Sequence, residues 1–462
     1  MIFLDFFFFL VKIIVDGMID SEFDRRRVSG LKRKVMNELI EWKNQKTGRM
    51  PLLLYGARQT GKTYILREFG ETCFGSCIYV NFERMANIAG YFSGDLSPER
   101  ILQFLSEYFN QKIFPEETLI IFDEIQACDR ALTSLKYFCE DAPEYCIAAA
   151  GSLLGVAVHR TGYSFPVGKV QIKTLYPLTF DEFLDACEQS YLTAMIQECF
   201  REERPVPEAA HLELNTWYKR YLITGGMPAV INEYLRNGQL SAAADLQDLI
   251  LSAYVADMTK YTSENEGGKI RSAFYSMPAQ LAKDNRKFQY KLIRKGASAG
   301  LFGDSINWLL SAGTVISCSR ICEGKIPLTA FRDLSAFKLY LSDVGLLCAF
   351  SRLSPENILR EELSDTYRGA LAENYTAQTL KAGGYDLYYW TNESPKGEVD
   401  FIIQKQGKVI PIEVKSGENV RSKSLMLFNK KYAPEQIYRL SAKNFGREGN
   451  LLSIPLYAAF CI

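Results

Sequence analysis

The sequence predicts an α/β protein: a parallel-sheet domain first, a mainly helical region next, and a smaller α/β domain last. Three observations carry this. Early apolar runs stop at glycines or carboxylates, the middle keeps a helical period, and strands near the end alternate in polarity. A chain of 462 residues suits about three domains. The expected parts are an apolar and basic N-terminal segment over 1–31, the first domain over 32–200, the helical region over 201–350 and the last domain over 351–462. With 47% hydrophobic and 13% aromatic residues, overall disorder is excluded. Lys plus Arg and Asp plus Glu are both 54, so any nucleic-acid contact must come from a local patch rather than net charge. Only His159 and His211 are present, which excludes multi-histidine metal sites and argues against Ser-His-Asp chemistry. The 11 cysteines show no zinc-ligand spacing and fit reduced thiols of a cytoplasmic protein.

At the start, Ile2 to Val15 is apolar, with four phenylalanines from Phe6 to Phe9, but Asp5 and Lys12 interrupt it. It is shorter than the roughly 20 residues of a spanning helix. Arg25-Arg26-Arg27 and Lys32-Arg33-Lys34 follow. An interfacial anchor with a basic flank is one reading; the other begins translation at Met18 and leaves this segment out of the fold. The second is the expectation, with no membrane partner.

The run Pro51 to Tyr55 reads as a buried strand leading into Gly56-Ala57-Arg58-Gln59-Thr60-Gly61-Lys62-Thr63 and a helical stretch from Tyr64. This is G-x-x-x-x-G-K-T in the strand–loop–helix setting the pattern requires. Its glycines let backbone N–H groups curl around phosphate oxygens at a helix N-terminus. Lys62 is expected on the β and γ phosphates, and Thr63 on Mg²⁺. A second apolar strand, Leu119 to Phe122, ends in Asp123-Glu124. Asp123 is the expected holder of the ion, and Glu124 the general base for the attacking water. A third strand, Cys146 to Ala150, ends in Gly151-Ser152, where Ser152 can sense the γ phosphate. ATP and Mg²⁺ are the expected cofactors.

The phosphate loop, the run Leu119 to Glu124, Ala150-Gly151-Ser152-Leu153-Leu154 and the run Tyr163 to Lys169 together resemble prokaryotic AAA-family ATPases with a C-terminal domain of unknown function. Leu175 to Phe180, Glu182-Phe183-Leu184 and Gly225-Gly226-Met227-Pro228 are similar to the same group. The resemblance implies an additional-strand P-loop core followed by a small helical region. It also implies an arginine finger, for which Arg160 is the candidate.

From Leu212 to Leu251 the pattern is helical, broken by the glycine turn at Gly225-Gly226. Helices continue to a strand pair at Thr314 to Ser319 and Ala336 to Leu341, which resembles a winged helix. Lys283, Arg286, Lys287, Lys291, Arg294 and Lys295 form a basic cluster. It reads either as a phosphate contact or as a solvated face or interdomain seam.

Near the end, Glu398 to Ile403 and Val409 to Lys415 alternate around a Gln406-Gly407 turn. If Lys405 faces Lys408, Asp400 lies opposite Glu413 and Glu398 opposite Lys415, all on one face. Val399, Phe401, Ile403, Ile410, Ile412 and Val414 then share the other. Two opposed carboxylates repel unless a cation sits between them or one is protonated; Mg²⁺ suits their oxygens, so Asp400 and Glu413 are expected metal ligands with Lys415 acting on a nearby water. Asp followed by Glu-x-Lys is similar to the PD-(D/E)xK restriction-endonuclease-like superfamily. That resemblance implies a helix glutamate completing the site, and Glu373 in the run Gly369 to Asn374 is carried over by position. Two functions follow. One is an AAA ATPase whose nucleotide state controls a nuclease-like domain acting on DNA or RNA. The other is an ATP-dependent regulatory switch whose nuclease-like domain is inactive and binds protein or DNA. A homo-oligomer is compatible with either reading, and the sequence does not set the oligomeric state.

Overall fold

Five strands build the first sheet: β1 (Leu52–Tyr55), β2 (Ser76–Asn81), β3 (Thr118–Asp123), β4 (Cys146–Ala150) and β5 (Gln171–Thr174). Their order is β2-β3-β4-β1-β5, and every pairing is parallel. A parallel sheet is covered on both faces, which is why the central strands β1, β3 and β4 read as apolar runs. Leu53, Ile120, Phe122 and Ile147 pack with Ile101 and Leu105 of the helix Pro98–Tyr108, and with Leu135 and Phe138 of the helix Asp129–Asp141. Leu52, Leu54, Leu119 and Ile121 serve the other face, against Leu39 and Trp42 of the helix Val35–Asn44 and Ile65 and Phe69 of the helix Lys62–Cys73. The C-terminal ends of β1 and β3 thus open on one edge, where open α/β sheets hold ligands.

This computed structural model describes residues 30–151, 156, 165–260, 262–283, 286–392, 397–417 and 422–462. Residues 1–29 of the expected N-terminal segment, Ser152 and Arg160 lie outside these. Among the described residues no helix is long and apolar enough to cross a membrane.

The middle is helical as expected, with helices Glu208–Thr224, Pro228–Asn237 and Ser241–Lys260 among others. The break between the first two needs glycine for steric reasons. A Cβ at Gly225, whose φ is +66°, would lie 2.1 Å from Asp343 Oδ1, and one at Gly226 would lie 2.1 Å from the Leu178 carbonyl oxygen.

The second sheet has eight strands: β6 (Val315–Ile321), β7 (Arg332–Leu341), β8 (Tyr388–Asn392), β9 (Gly397–Lys405), β10 (Lys408–Val414), β11 (Ile437–Ser441), β12 (Gly446–Glu448) and β13 (Leu451–Pro455). They run in the order β12-β13-β11-β10-β9-β8-β6-β7. The antiparallel pair β6/β7 lies where a strand pair was expected, but it does not form a separate wing. β6 pairs in parallel with β8, so the sheet crosses the boundary expected at residue 350. The pair carries Val315, Cys318, Ile321, Leu339 and Leu341 buried, too much apolar surface for a two-stranded ribbon to cover alone.

The expected β9/β10 register is present from Lys408↔Lys405 to Ile412↔Phe401. Gln406 and Gly407 turn at φ 49° and 75°, both positive as a type I′ hairpin requires. The expected faces differ at one point. A register shift against β8 pairs Tyr388 with Ile402 but Trp390 with Val399. That bulge brings Val399 into the cluster of Ile402, Leu425 and Phe428 instead of leaving it beside Phe401.

Two glycine substitutions test this packing. Gly226→Ala is expected to destabilise by roughly 3 kcal/mol or more, because its Cβ meets backbone that cannot yield. In the helix Ala299–Ser311 a Cβ at Gly303 meets nothing within 4 Å, so Gly303→Ala should stabilise by about 0.5–1 kcal/mol. Denaturant melts of both variants against the parent check the two signs.

Candidate functional site

The phosphate loop leaves β1 through Gly56, whose φ is +145°, and enters the helix Lys62–Cys73 through Gly61 at φ +93°. A Cβ at Gly56 would sit 2.3 Å from the Leu175 carbonyl oxygen, so only glycine permits this close approach. Thr60 is fully buried, and its hydroxyl donates to the Ala57 carbonyl at 2.9 Å. Lys62 folds over the loop and donates to the carbonyls of Gly56 at 2.9 Å and Ala57 at 2.8 Å. Burial pushes its ammonium down to about 8, against the pull of Glu124 and Asp123.

Thr63 and Asp123 meet directly: the hydroxyl donates to Asp123 Oδ2 at 2.8 Å. The same oxygen accepts from the Tyr79 hydroxyl at 2.7 Å, and Asp123 Oδ1 accepts from the Glu124 backbone N–H at 3.0 Å. The donor set here is a hydroxyl and a carboxylate, hard oxygens that suit Mg²⁺. Glu124 adopts a left-handed backbone at φ 49° and hydrogen-bonds Gln126. Burial, then the neighbouring Asp123 carboxylate, raise Glu124 above the ordinary carboxylate range. Gln59 turns the loop at φ 64°. Arg58 reaches away to the helix Ser241–Lys260, where its Nη1 pairs with Asp257 Oδ1 at 2.7 Å and its carbonyl accepts from the Tyr254 hydroxyl at 3.1 Å. Arg33 braces the other side, donating to the carbonyls of Thr60 at 3.1 Å and Tyr176 at 2.7 Å. A cleft of about 410 Å³ opens beside the loop, lined in part by Gly56, Ala57, Gly151, Tyr176 and Gly313.

The C-terminal carboxylates are arranged differently from expectation. Asp400 Oδ2 accepts the Val414 backbone N–H at 2.8 Å, and the charge of Glu413 bears on the same carboxyl. Glu398 does not face Lys415; its partner is Lys338 of β7, at 2.6 Å. Lys415 instead binds Glu413 Oε1 at 2.7 Å. Glu373, on the helix Asp365–Ala382, lies in the same region, but both its oxygens are engaged. Arg286 binds Oε1; the Tyr340 hydroxyl donates to Oε2 at 3.1 Å, and Lys338 stands 3.7 Å from that oxygen. Among the described residues no group of three or more His, Cys, Asp or Glu side chains is placed to hold a metal ion. Buried cations of the chain itself thus engage Glu373, the glutamate expected to complete the site, while the charges of Asp400, Glu413 and Glu373 bear on one another. Among the described residues Glu413 Oε2 is buried with no donor in close hydrogen-bond geometry; the Leu425 backbone N–H bears on the carboxyl besides Lys415.

Charge direction follows from these contacts. Burial alone would raise Glu373, but Arg286 and then Lys338 outweigh it and hold the carboxyl below its usual range. Burial would likewise lower Lys338 and Arg286, but the carboxylates around them, Glu373 first, raise both. Among the described residues no lysine or arginine forms an ion pair with Asp400; burial and the charges of Glu373 and Glu413 push it well up against the pull of Lys338.

Arg286, read from sequence as part of a basic cluster, is thus separated from Lys283, Lys291, Arg294 and Lys295, which are exposed. Lys338, Tyr340, Tyr79 and Asp257 were not anticipated. For Lys338 a signal exists: it is the one charge in the run Ala336 to Leu341. Tyr79 and Asp257 carry none, since a strand tyrosine and a helix aspartate are ordinary until their partners are known. Lys338 is fully buried, so Lys338→Met should strand Glu398 and part of Glu373 and destabilise by roughly 3–5 kcal/mol. Lys338→Met combined with Glu398→Gln should recover part of that loss in equilibrium unfolding.

Comparison with known proteins adds the following. Residues 48–184 match the AAA domain family. Residues 215–357 match a domain of unknown function, DUF8612, and residues 368–457 another, DUF4143. Among solved structures, the chain is 17% identical to a Walker-type ATPase of Pyrococcus abyssi, covering 72% of this chain and 99% of that one at a TM-score of 0.41. It is 14% identical to the Aeropyrum pernix ORC2 protein in its ADPNP–ADP complexes, over 74% of this chain and 97% of that one, TM-score 0.38. It is 12% identical to Cdc6p of Pyrobaculum aerophilum, over 76% and 99%, TM-score 0.29. No curated protein matches the chain. The loop from Gly56 to Thr63, the β3 carboxylates and the parallel sheet beneath them therefore form an AAA-family P-loop domain.

Proposed function

We propose that this protein is a Mg²⁺-dependent ATPase whose nucleotide state regulates its C-terminal sheet. The observation that carries the reading is the 2.8 Å contact between Thr63 and Asp123, which joins the phosphate loop to the acidic end of β3. When ATP enters, Lys62 exchanges the Gly56 and Ala57 carbonyls for the β and γ phosphates, and the loop N–H groups take the remaining oxygens. Thr63 and Asp123 would hold Mg²⁺, which neutralises charge on the phosphates. Glu124, raised by burial, orients the attacking water and accepts its proton.

A regulatory role for the C-terminal half is favoured over cleavage by the engagement of Glu373 with Arg286, Lys338 and Tyr340. A short route connects the two regions. Pro228, which starts a helix, packs at Gly61, where a Cβ would meet it at 3.6 Å. Gly226 N–H donates to Asp343 Oδ2 at 2.6 Å. Asp343 in turn follows β7, which carries Lys338 and Tyr340. Changes at the loop can therefore reach the carboxylates through backbone. DNA, RNA or a protein is the partner class for this half; the exposed Lys283, Lys291, Arg294 and Lys295 suit a phosphate backbone.

Phosphate release and nucleotide binding test the reading. Lys62→Ala should lose ATP binding. Glu124→Gln should keep it and lose turnover by about 100-fold or more. Equal ATP affinity in the parent and Lys62→Ala would refute the assignment. The lysine also predicts a pH dependence. Its proton leaves near pH 8, and phosphate needs the charged form. Affinity should be flat below that pH and fall about tenfold per unit above it, as binding must take up a proton. Calorimetric titrations across this range check the slope.

A further inference from the structure

The carboxylates of the second sheet raise a question that nucleotide chemistry does not answer: what balances their charge? Glu373 is 3% exposed and Glu413 4%, so both need compensation. The chain supplies it. Arg286, Lys338 and Lys415 each contact at least one of Glu373, Glu398 and Glu413, and Asp400 is satisfied by a backbone N–H.

Arg286 has a seat built for it. The side chain is 9% exposed, and its guanidinium donates to the Thr366 carbonyl at 3.3 Å as well as binding Glu373. It passes close to Gly369, where a Cβ would stand 2.6 Å from Nη2, so glycine there leaves the guanidinium tip its space. The Arg286 backbone is held at φ 46°, a conformation non-glycine residues adopt at a cost and keep only where the surroundings enforce it. Among the described residues the neighbouring Glu413 keeps one buried oxygen, Oε2, with no donor in close hydrogen-bond geometry.

We propose that Arg286 stands in the place of a divalent cation: with Arg286 seated, the carboxylate cluster is complete without metal, and removing Arg286 converts it into a divalent-cation site. The segment carrying Arg286 runs beside β7, where the Phe288 N–H bonds the Phe337 carbonyl and Lys287 bridges to Lys338. Arg286 is thus a plug on a sheet edge rather than a member of the sheet. Seated, it leaves Glu373 no oxygen for a hard cation, and the cluster is an ion network that binds but does not hydrolyse. Unseated, Glu373, Asp400 and Glu413 Oε2 offer the oxygen ligands that Mg²⁺ and Mn²⁺ take. This inference deepens the regulatory half of the proposed function and is independent of ATP turnover.

The test counts bound Mn²⁺ by electron paramagnetic resonance on the nucleotide-free full chain, with the Asp400→Asn variant of each protein as the reference that isolates this cluster. The parent should show the same uptake with and without Asp400→Asn. Arg286→Gln should take up one more ion per chain than the parent and lose it again with Asp400→Asn. Arg286→Lys should resemble the parent, since a cation remains. Arg286→Met, which removes the charge but keeps a side chain of similar reach, should behave as Arg286→Gln and serves if the latter does not fold. Parent protein that binds an ion released by Asp400→Asn overturns the proposal, as does folded Arg286→Gln or Arg286→Met with no added uptake. ATP hydrolysis, measured in parallel, separates this outcome from failure of the nucleotide assignment.

Discussion

The structure depends on one buried carboxylate. Asp343 is fully buried at the end of β7, accepts the Gly226 N–H on Oδ2 at 2.6 Å and caps the helix Val344–Phe350 through the Leu346 N–H on Oδ1 at 2.9 Å. Burial pushes its carboxyl up to about 6, and the backbone donors pull the other way. A carboxylate can sit there only because Gly225 and Gly226 leave space for it and offer a donor. Gly226 also returns its carbonyl to the Leu178 N–H at 2.7 Å. That exchange ties the segment leaving the parallel sheet to the end of β7, an edge strand of the mixed one.

Two lysines show how partners, not burial, decide the charge of a site. Lys62 and Lys338 are both withdrawn from water. Lys62 faces two backbone carbonyls and is pushed down to about 8, while Lys338 has carboxylates on two sides and is raised. The first is poised to exchange weak acceptors for phosphate oxygens. The second is locked, since its departure would leave Glu373 and Glu398 without compensation in a poorly solvated interior. One region is arranged for ligand exchange and the other for retention. This difference is the physical ground for reading the first as catalytic and the second as regulatory.

Arg58 extends the contrast. A loop residue expected to face nucleotide instead reaches across to Asp257, whose carboxyl burial raises to about 6 despite the guanidinium beside it. The helix carrying Asp257 also sends Gln247 to the carbonyls of Ile223 and Thr224, immediately before the glycine junction. Phosphate loop, helical region and junction are thus mechanically continuous.

Much of this was legible in the residues. The loop from Gly56 to Thr63 declares itself because few backbone shapes bind phosphate, and they need glycine and lysine at fixed spacing. The acidic end of β3 follows from an apolar run that stops at Asp123-Glu124. The β9/β10 register could be worked out because an alternating pattern permits one pairing and a two-residue turn sets it. Local patterns of this kind are written in neighbouring residues. What local pattern could not supply was where β6 and β7 would dock, that a bulge would move Val399 to the other side, or that Arg286 would be drawn into the carboxylates instead of remaining in a basic patch. Each depends on residues far apart in sequence: Glu373 lies 87 positions from Arg286, and Asp343 lies 117 from Gly226. The sequence by itself determined the chemistry on offer and the secondary structure carrying it. Only the tertiary structure decided which charges would be buried together, because charge compensation is a property of the folded interior and leaves no period in the chain.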